Sequence, residues 1–192
     1  MTVFILILVA YLIGSVNMSI VIAKLFGKPD PRTQGSGNAG ATNTLRTSGK
    51  KDAALVLLGD ILKGIIAVML ARLFKIDNFM LGLVAFSAVL GHIFPVYFKF
   101  KGGKGVATMI GVLIALNPWL GAISTAIWIV AALLSRYASL ASLAAATSSI
   151  VLCLFFKHYA YVIPITAIAG LITWKHTGNI DRLRSGTESK IF

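Results

Sequence analysis

Long apolar runs leave this chain few ways to fold. From Val3 to Trp174 it is a succession of stretches almost free of charge, broken by short polar segments. Such runs are buried in lipid, where each backbone group must find its partner inside the segment, so helices are the expected form. Charged residues make up only 12% of the 192, about half the usual share of a soluble domain. The pattern predicts an all-α polytopic membrane protein, one integral-membrane domain over 1–192. Helices are expected at 3–24, 53–74, 79–98, 105–117, 119–135, 138–156 and 158–174. Met1 to Lys24 has no basic leading region and no A-x-A site after it, so it reads as a retained first span rather than a signal peptide.

The helix at 105–117 would rise only ~20 Å, so it is either a short span or half of a broken one with 119–135. Charge decides between six and seven spans. With seven, only Arg72, Lys75 and Lys157 lie on one side, while the many other loop lysines and arginines share the opposite side. With six, Arg136 and the basic tail would be divided between the two sides. Seven transmembrane helices, with the N-terminus outside and the C-terminus cytoplasmic, satisfy the positive-inside rule. The same placement explains the net charge of +12 without nucleic acid, which is not expected as a partner. Cys153 is alone in an apolar run, His92, His158 and His176 are scattered, and the six acidic residues do not cluster. No metal site and no cofactor are expected.

That topology gathers three polar segments on one face. The first is Gly35-Ser36-Gly37-Asn38-Ala39-Gly40-Ala41-Thr42-Asn43-Thr44-Leu45-Arg46, within the 27–52 loop. Its glycines let backbone N–H groups converge on an anion, its small polar side chains add donors, and Arg46 supplies a fork suited to phosphate. Gly35, Gly37 and Gly40 also match G-x-G-x-x-G, but Pro29-Asp30-Pro31 and a span precede them where a dinucleotide fold needs a strand. The second segment, Lys101-Gly102-Gly103-Lys104-Gly105, opens a helix and offers free N–H groups, a helix dipole and a full charge. It is not a Walker A loop, because Gly105 follows Lys104 and Phe98 stands where the first glycine belongs. The third is the tail from Lys175 to Phe192, with His176, Asn179, Arg182 and Arg184.

Inside the spans, Asp60 and Lys63 share a helix face and read as a pair supporting the site. Arg136, Ser139 and Ser142 recur every three residues and either line the site or allow close helix packing. Ser15, Asn17 and Ser19 read as interhelical hydrogen-bonders, and His92 as a structural histidine.

The three segments in this order resemble the motifs of the bacterial acyl-phosphate:glycerol-3-phosphate acyltransferases, the PlsY type. The resemblance rests on Gly35 to Arg46, on Lys101 to Thr108 and on His176 to Glu188, and covers the whole chain. Gly59-Asp60 with Lys63-Gly64, and Arg136 to Ser142, resemble further family segments. The resemblance implies a multi-pass enzyme of the bacterial cytoplasmic (inner) membrane, its active site facing the cytoplasm. Such an enzyme moves a fatty acyl group from a long-chain acyl phosphate to the 1-hydroxyl of glycerol 3-phosphate, giving lysophosphatidic acid and phosphate. Membrane lipids would surround it, and preference for acyl phosphate over acyl-CoA or acyl-carrier protein rests on the resemblance alone.

The resemblance also assigns roles. Ser36, Arg46, Lys104, His176 and Asn179 would be catalytic. Glycerol 3-phosphate would be held by Ser36, Arg46, His176, Asn179 and Arg182, and the acyl-phosphate group by Lys104 with the N–H groups of Gly103 and Gly105. Gly35, Gly37, Asn38, Gly40, Ala41, Thr42, Asn43, Gly102, Thr108, Ser142 and Glu188 would complete the substrate site. Asp60, Lys63, Arg136 and Ser139 would support it. An acyl phosphate is already activated, so positioning and charge stabilisation suffice, and no Ser-His-Asp order appears. The competing class is an anion transporter or channel, whose sites lie near the midplane and often between repeats, and no repeat is visible here. A CDP-alcohol phosphotransferase would need a cluster of metal-binding aspartates that the sequence lacks.

Overall fold

The computed structural model describes residues 1–191. Phe192, the last residue of the tail, lies outside the described residues. These form ten α-helices and, among the described residues, no strand. They are α1 (Thr2–Gly14), α2 (Met18–Leu25), α3 (Ala41–Ser48), α4 (Lys50–Arg72), α5 (Asn78–Ile93), α6 (Val106–Leu116), α7 (Pro118–Ser135), α8 (Ala138–Phe155), α9 (Tyr159–Lys175) and α10 (Thr177–Arg184).

Four helices, α4, α5 with the short turn after it, α7 and α8, are long and apolar enough to cross a membrane, and the pair α1–α2 makes a fifth if taken as one bent span. The apolar helices α6 and α9 are shorter. The first span is not the single helix 3–24 that the apolar run predicts. It bends by 44° between α1 and α2. Asn17 stops the first helix and caps the second, its Oδ1 accepting from the Ile20 N–H at 3.2 Å, while Ser15 Oγ turns back to Tyr11 O at 2.8 Å. Nor is the 27–52 segment a plain loop, since it folds into a 3-10 turn at Pro31–Thr33 and then α3.

Lipid offers helices no hydrophobic reason to associate, so close contact between small residues must do so. At the α4–α6 crossing a Cβ on Gly111 would fall 2.1 Å from Ile61 O, and one on Gly64 2.6 Å from Thr108 O. At the α1–α5 crossing the same is true of Gly14 against Ala88 O (2.0 Å) and Gly91 against Tyr11 O (2.2 Å). These approaches surround a core that includes Val84, Ala88, Met109, Leu113, Ile165 and Ile168. Outward faces carry large exposed apolar side chains such as Phe4, Leu58, Leu62, Leu134 and Phe155.

Candidate active site

One cavity of about 600 Å³ takes residues from all three polar segments. Its polar part is lined by Ser36, Asn38, Arg46, Lys104, His176, Asn179, Arg182 and Glu188, with Gly35, Gly40, Ala41, Thr42, Asn43 and Gly105 in its walls. Its apolar part lies between α4, α6 and α7, along Leu57, Ile61, Ile110, Trp128 and Ile129.

The glycine loop is shaped by one asparagine. Asn43 Oδ1 accepts the Ser36 N–H at 2.9 Å, and its Nδ2 donates to Pro31 O (2.8 Å) and Gln34 O (3.0 Å). Gly35 has φ +55, and a Cβ there would lie 2.3 Å from Asn43 Oδ1, so both conformation and space require glycine. The loop leads into α3, whose first residues Ala41 and Thr42 line the cavity. The start of α6 does the same from the other side, with Gly105 at φ +89 as its N-cap. Two helix N-termini, each with unbonded N–H groups and the positive end of its dipole, therefore open on one cavity.

The tail closes the third side as a helix and strap. Lys104 Nζ donates to Asn179 Oδ1. Asn179 Nδ2 donates to Glu188 Oε1 at 2.6 Å, Ser139 Oγ to the same oxygen at 2.8 Å, and Arg182 Nε to Glu188 Oε2 at 2.8 Å. Arg46 reaches the strap from α3, donating to the carbonyls of Ser189 (3.0 Å) and Lys190 (3.1 Å). The Ile191 N–H donates to Arg136 O at 2.8 Å. The tail thus ties α3 to the α7–α8 junction.

These surroundings set the titration of the site. Burial lowers the Lys104 ammonium to about 8; the pull of Glu188 opposes it, and the charges of Arg182, Lys175 and Arg46 each reinforce it to a lesser degree. Burial and then Lys104 push His176 down to about 4. Its Nδ1 lies 2.7 Å from Ile172 O, and a carbonyl can only accept, so Nδ1 carries the proton and Nε2 is left as an acceptor. Burial alone would raise the Glu188 carboxyl, but the hydrogen bonds from Asn179, Ser139 and Arg182 outweigh it and hold the group below its usual value.

Not every expected residue reaches the cavity. Gly37, Gly102, Gly103, Thr108, Lys63 and Arg136 are absent from its walls. The Gly103 N–H, expected to face an anion, donates instead to His92 O at 3.2 Å, and the Gly102 N–H to Ile93 O at 3.3 Å. The Gly37 N–H closes a turn on Gln34 O at 2.9 Å. Thr108 is fully buried, and its Oγ1 has no hydrogen-bond partner. Asp60 and Lys63 do pair, at 2.8 Å, but only Asp60 touches the cavity. Ser139 and Ser142 both line it, and Ser142 Oγ also accepts from Trp128 Nε1 at 3.1 Å. Leu57, Ile61, Ile110 and Ile129 carried no mark in the sequence beyond being apolar; Trp128, with one polar atom in a span, carried a faint one.

A multi-pass helical membrane protein with a basic, glycine-lined cavity beside an apolar one is the class that fold and site define. The family model described as glycerol-3-phosphate acyltransferase matches residues 4–186, and the chain belongs to that family. A glycerol-3-phosphate acyltransferase of Coxiella burnetii is 50% identical over 185 residues, covering 96% of each chain. One from Thioalkalivibrio sulfidiphilus is 46% identical over 97% of this chain and 92% of its own. The crystal structure of PlsY (YgiH), an integral membrane glycerol 3-phosphate acyltransferase, in its glycerol 3-phosphate form superposes with a TM-score of 0.93 at 42% identity, covering 99% of this chain and 96% of that one. Its lysophosphatidic acid form gives 0.92 at 40% identity. Family membership turns the choice between enzyme and anion transporter towards the enzyme.

Proposed function

We propose that this chain, as a single domain crossing the membrane seven times, transfers a fatty acyl group from acyl phosphate to the 1-hydroxyl of glycerol 3-phosphate at the cytoplasmic face of a bacterial inner membrane. The observation that carries the reading is the joining of two unlike halves in one cavity. Arg46, Lys104, Arg182 and the N-termini of α3 and α6 form a half fit for phosphates, and Leu57, Ile61, Ile110 and Ile129 form a half fit for an acyl chain.

In this reading Lys104 and the start of α6 hold the acyl-phosphate group. Ser36, Arg46, Asn179 and Arg182 hold glycerol 3-phosphate, with Glu188 keeping Asn179 and Arg182 in place. The glycerol hydroxyl attacks the acyl carbonyl, the bond to the phosphate oxygen breaks, and charge grows on the leaving phosphate beside Lys104. His176 Nε2 accepts a hydrogen bond from the 2-hydroxyl of glycerol 3-phosphate and so orients the molecule, leaving the proton of the attacking 1-hydroxyl free to move elsewhere. A histidine pushed down to about 4 is a poor resting place for a proton at neutral pH, whereas a phosphate monoester, with a second pKa near ~6, is a better one. The hydroxyl proton therefore passes to substrate phosphate.

The test is direct. Purified protein is mixed with palmitoyl phosphate and glycerol 3-phosphate, with no added metal, and lysophosphatidic acid and phosphate should appear together. Palmitoyl-CoA in place of palmitoyl phosphate should give no product. Product from the thioester and none from the acyl phosphate would sink the assignment of the donor.

A further inference from the structure

Beside the cavity, between α4 and α5, lies a polar cluster that the reaction as described does not use; Asp60 and His92 border the cavity, and Lys63 lies behind them. Lys63 Nζ has three protons and three acceptors. These are Val16 O at 2.7 Å, Asp60 Oδ1 at 2.8 Å and His92 Nδ1 at 2.9 Å. Val16 O belongs to the break between α1 and α2, where no helical N–H serves it. Asp60 Oδ1 also lies 3.4 Å from His92 Nδ1, but the shorter contact is the one to Lys63 at 2.9 Å; with each bond running outward from the ammonium, His92 Nδ1 is an acceptor, and the ring proton sits on Nε2. Lys63, Asp60 and His92 are all buried, so water does not compete for these bonds.

The far side of the ring meets the two loops that carry the site. A Cβ on Gly103 would lie 2.3 Å from His92 Nε2 and 2.5 Å from Ala39 O. His92 O and Ile93 O accept the N–H groups of Gly103 and Gly102. Ala39 O, next to Gly40 of the glycine loop, is itself tied to Asn17 Nδ2 at 3.2 Å. The residue after Gly103 is Lys104. A single imidazole thus packs against the turn that aims Lys104, at the point where that turn touches the loop running from Ser36 to Arg46.

We propose that His92 is a positioning residue for acyl transfer: Lys63, itself held by Asp60, locks its ring as the neutral Nε2–H tautomer, and the locked ring sets the placement of Lys104 against the glycine loop. The proposal rests on the reading of Lys104 as the ligand of the acyl-phosphate group. It differs from simple packing because the orientation of the ring depends on the bond from Lys63. A phenyl ring fills similar space but offers no acceptor, so His92→Phe should leave the ring and the turn unlocked.

Steady-state kinetics of His92→Phe should show kcat lowered by about 10- to 100-fold, the scale of a small misplacement, with KM for glycerol 3-phosphate within about twofold of the parent. Lys104→Ala, measured beside it, separates the two ideas. If Lys104→Ala is inactive and His92→Phe turns over like the parent, the positioning role is overturned and the site reading stands. If Lys104→Ala keeps its turnover, the site reading falls and the proposal with it. Should His92→Phe fail to fold, the unsubstituted protein decides. Its histidines are labelled with 15N and assigned by His158→Gln and His176→Gln, and the His92 resonances should report a neutral ring protonated at Nε2. A ring protonated at Nδ1 or at both nitrogens would overturn the proposal.

Discussion

At the residue scale, the site depends on two groups that burial moves in the same direction for opposite uses. Lys104, lowered to about 8, must be charged if it holds the acyl-phosphate group as proposed. In the free enzyme that charge is present below about pH 8 and lost above it, so kcat/KM should fall on the alkaline side with a midpoint near that value. Lys104→Arg cannot lose its charge in this range. Whatever activity it keeps should show no such limb in a pH profile, and a limb that persists would assign the titration elsewhere. His176, lowered to about 4, is neutral throughout. His176→Gln should raise KM for glycerol 3-phosphate yet keep measurable turnover and the acidic limb, which belongs to substrate phosphate. A loss of ~100-fold or more in kcat with unchanged KM, and with that limb gone, would make His176 the base instead. The sequence made Lys104, His176 and Arg46 visible, because charge and small polar residues stand out in an apolar chain. It did not make visible that Lys104 and Asn179 are bonded, or that the Gly103 N–H is already used by His92. Those depend on which way a backbone turns, and a run of glycines permits several ways.

At the element scale, the apolar runs revealed the helices but not the breaks that make them useful. The first span reads as continuous because Ser15, Asn17 and Ser19 are too few to interrupt its hydropathy. Yet Asn17 ends one helix, starts the next and holds Ala39, the residue before Gly40. Likewise α3 and α10 are short and polar, and they form because tertiary contacts hold them rather than through propensity. Crossing distances are equally hidden in a string of letters, since a glycine that permits contact looks like any other. Gly111→Ala tests one of them. Its Cβ would fall 2.1 Å from Ile61 O, so α4 and α6 must move apart along the wall that carries Ile61 and Ile110. The variant should lose about 1–3 kcal/mol of stability, the range for overpacking, seen as a lower midpoint of thermal unfolding in detergent. Gly170→Ala, where a Cβ meets nothing within 4 Å, serves as the control and should not fall. Equal midpoints for both would mean that the crossing is not tight.

At the scale of the whole molecule, the question is how the bundle sits in its membrane. Length and composition single out four helices, or five with the bent pair, and leave α6 and α9 short. The cavity supplies a second line of reasoning. Its walls come from the α2–α4 connection, the α5–α6 connection, the start of α8 and the segment after α9. For all of these to lie at one end, the chain must return to that end each time. It does so if the bent pair and α4 to α9 each cross once, apart from the short α3, which makes seven passages. Charge agrees, for Lys24, Lys28, Arg32, Lys99 and Lys101 then share the end that bears the cavity, and Arg72, Lys75 and Lys157 the other. Under the proposed seven-passage topology the positive-inside rule would turn the cavity to the cytoplasm, and both substrates would be met where metabolic phosphates are found. Single cysteines in a Cys153→Ser background decide the matter at exposed positions, Lys51, Ser185 and Lys75. An impermeant thiol reagent added to intact spheroplasts should label the cysteine at 75 and spare those at 51 and 185, with the pattern reversed in inside-out vesicles. Labelling at 185 from outside, with 51 still protected, would put the tail across the membrane from the glycine loop and leave the cavity no single side to face.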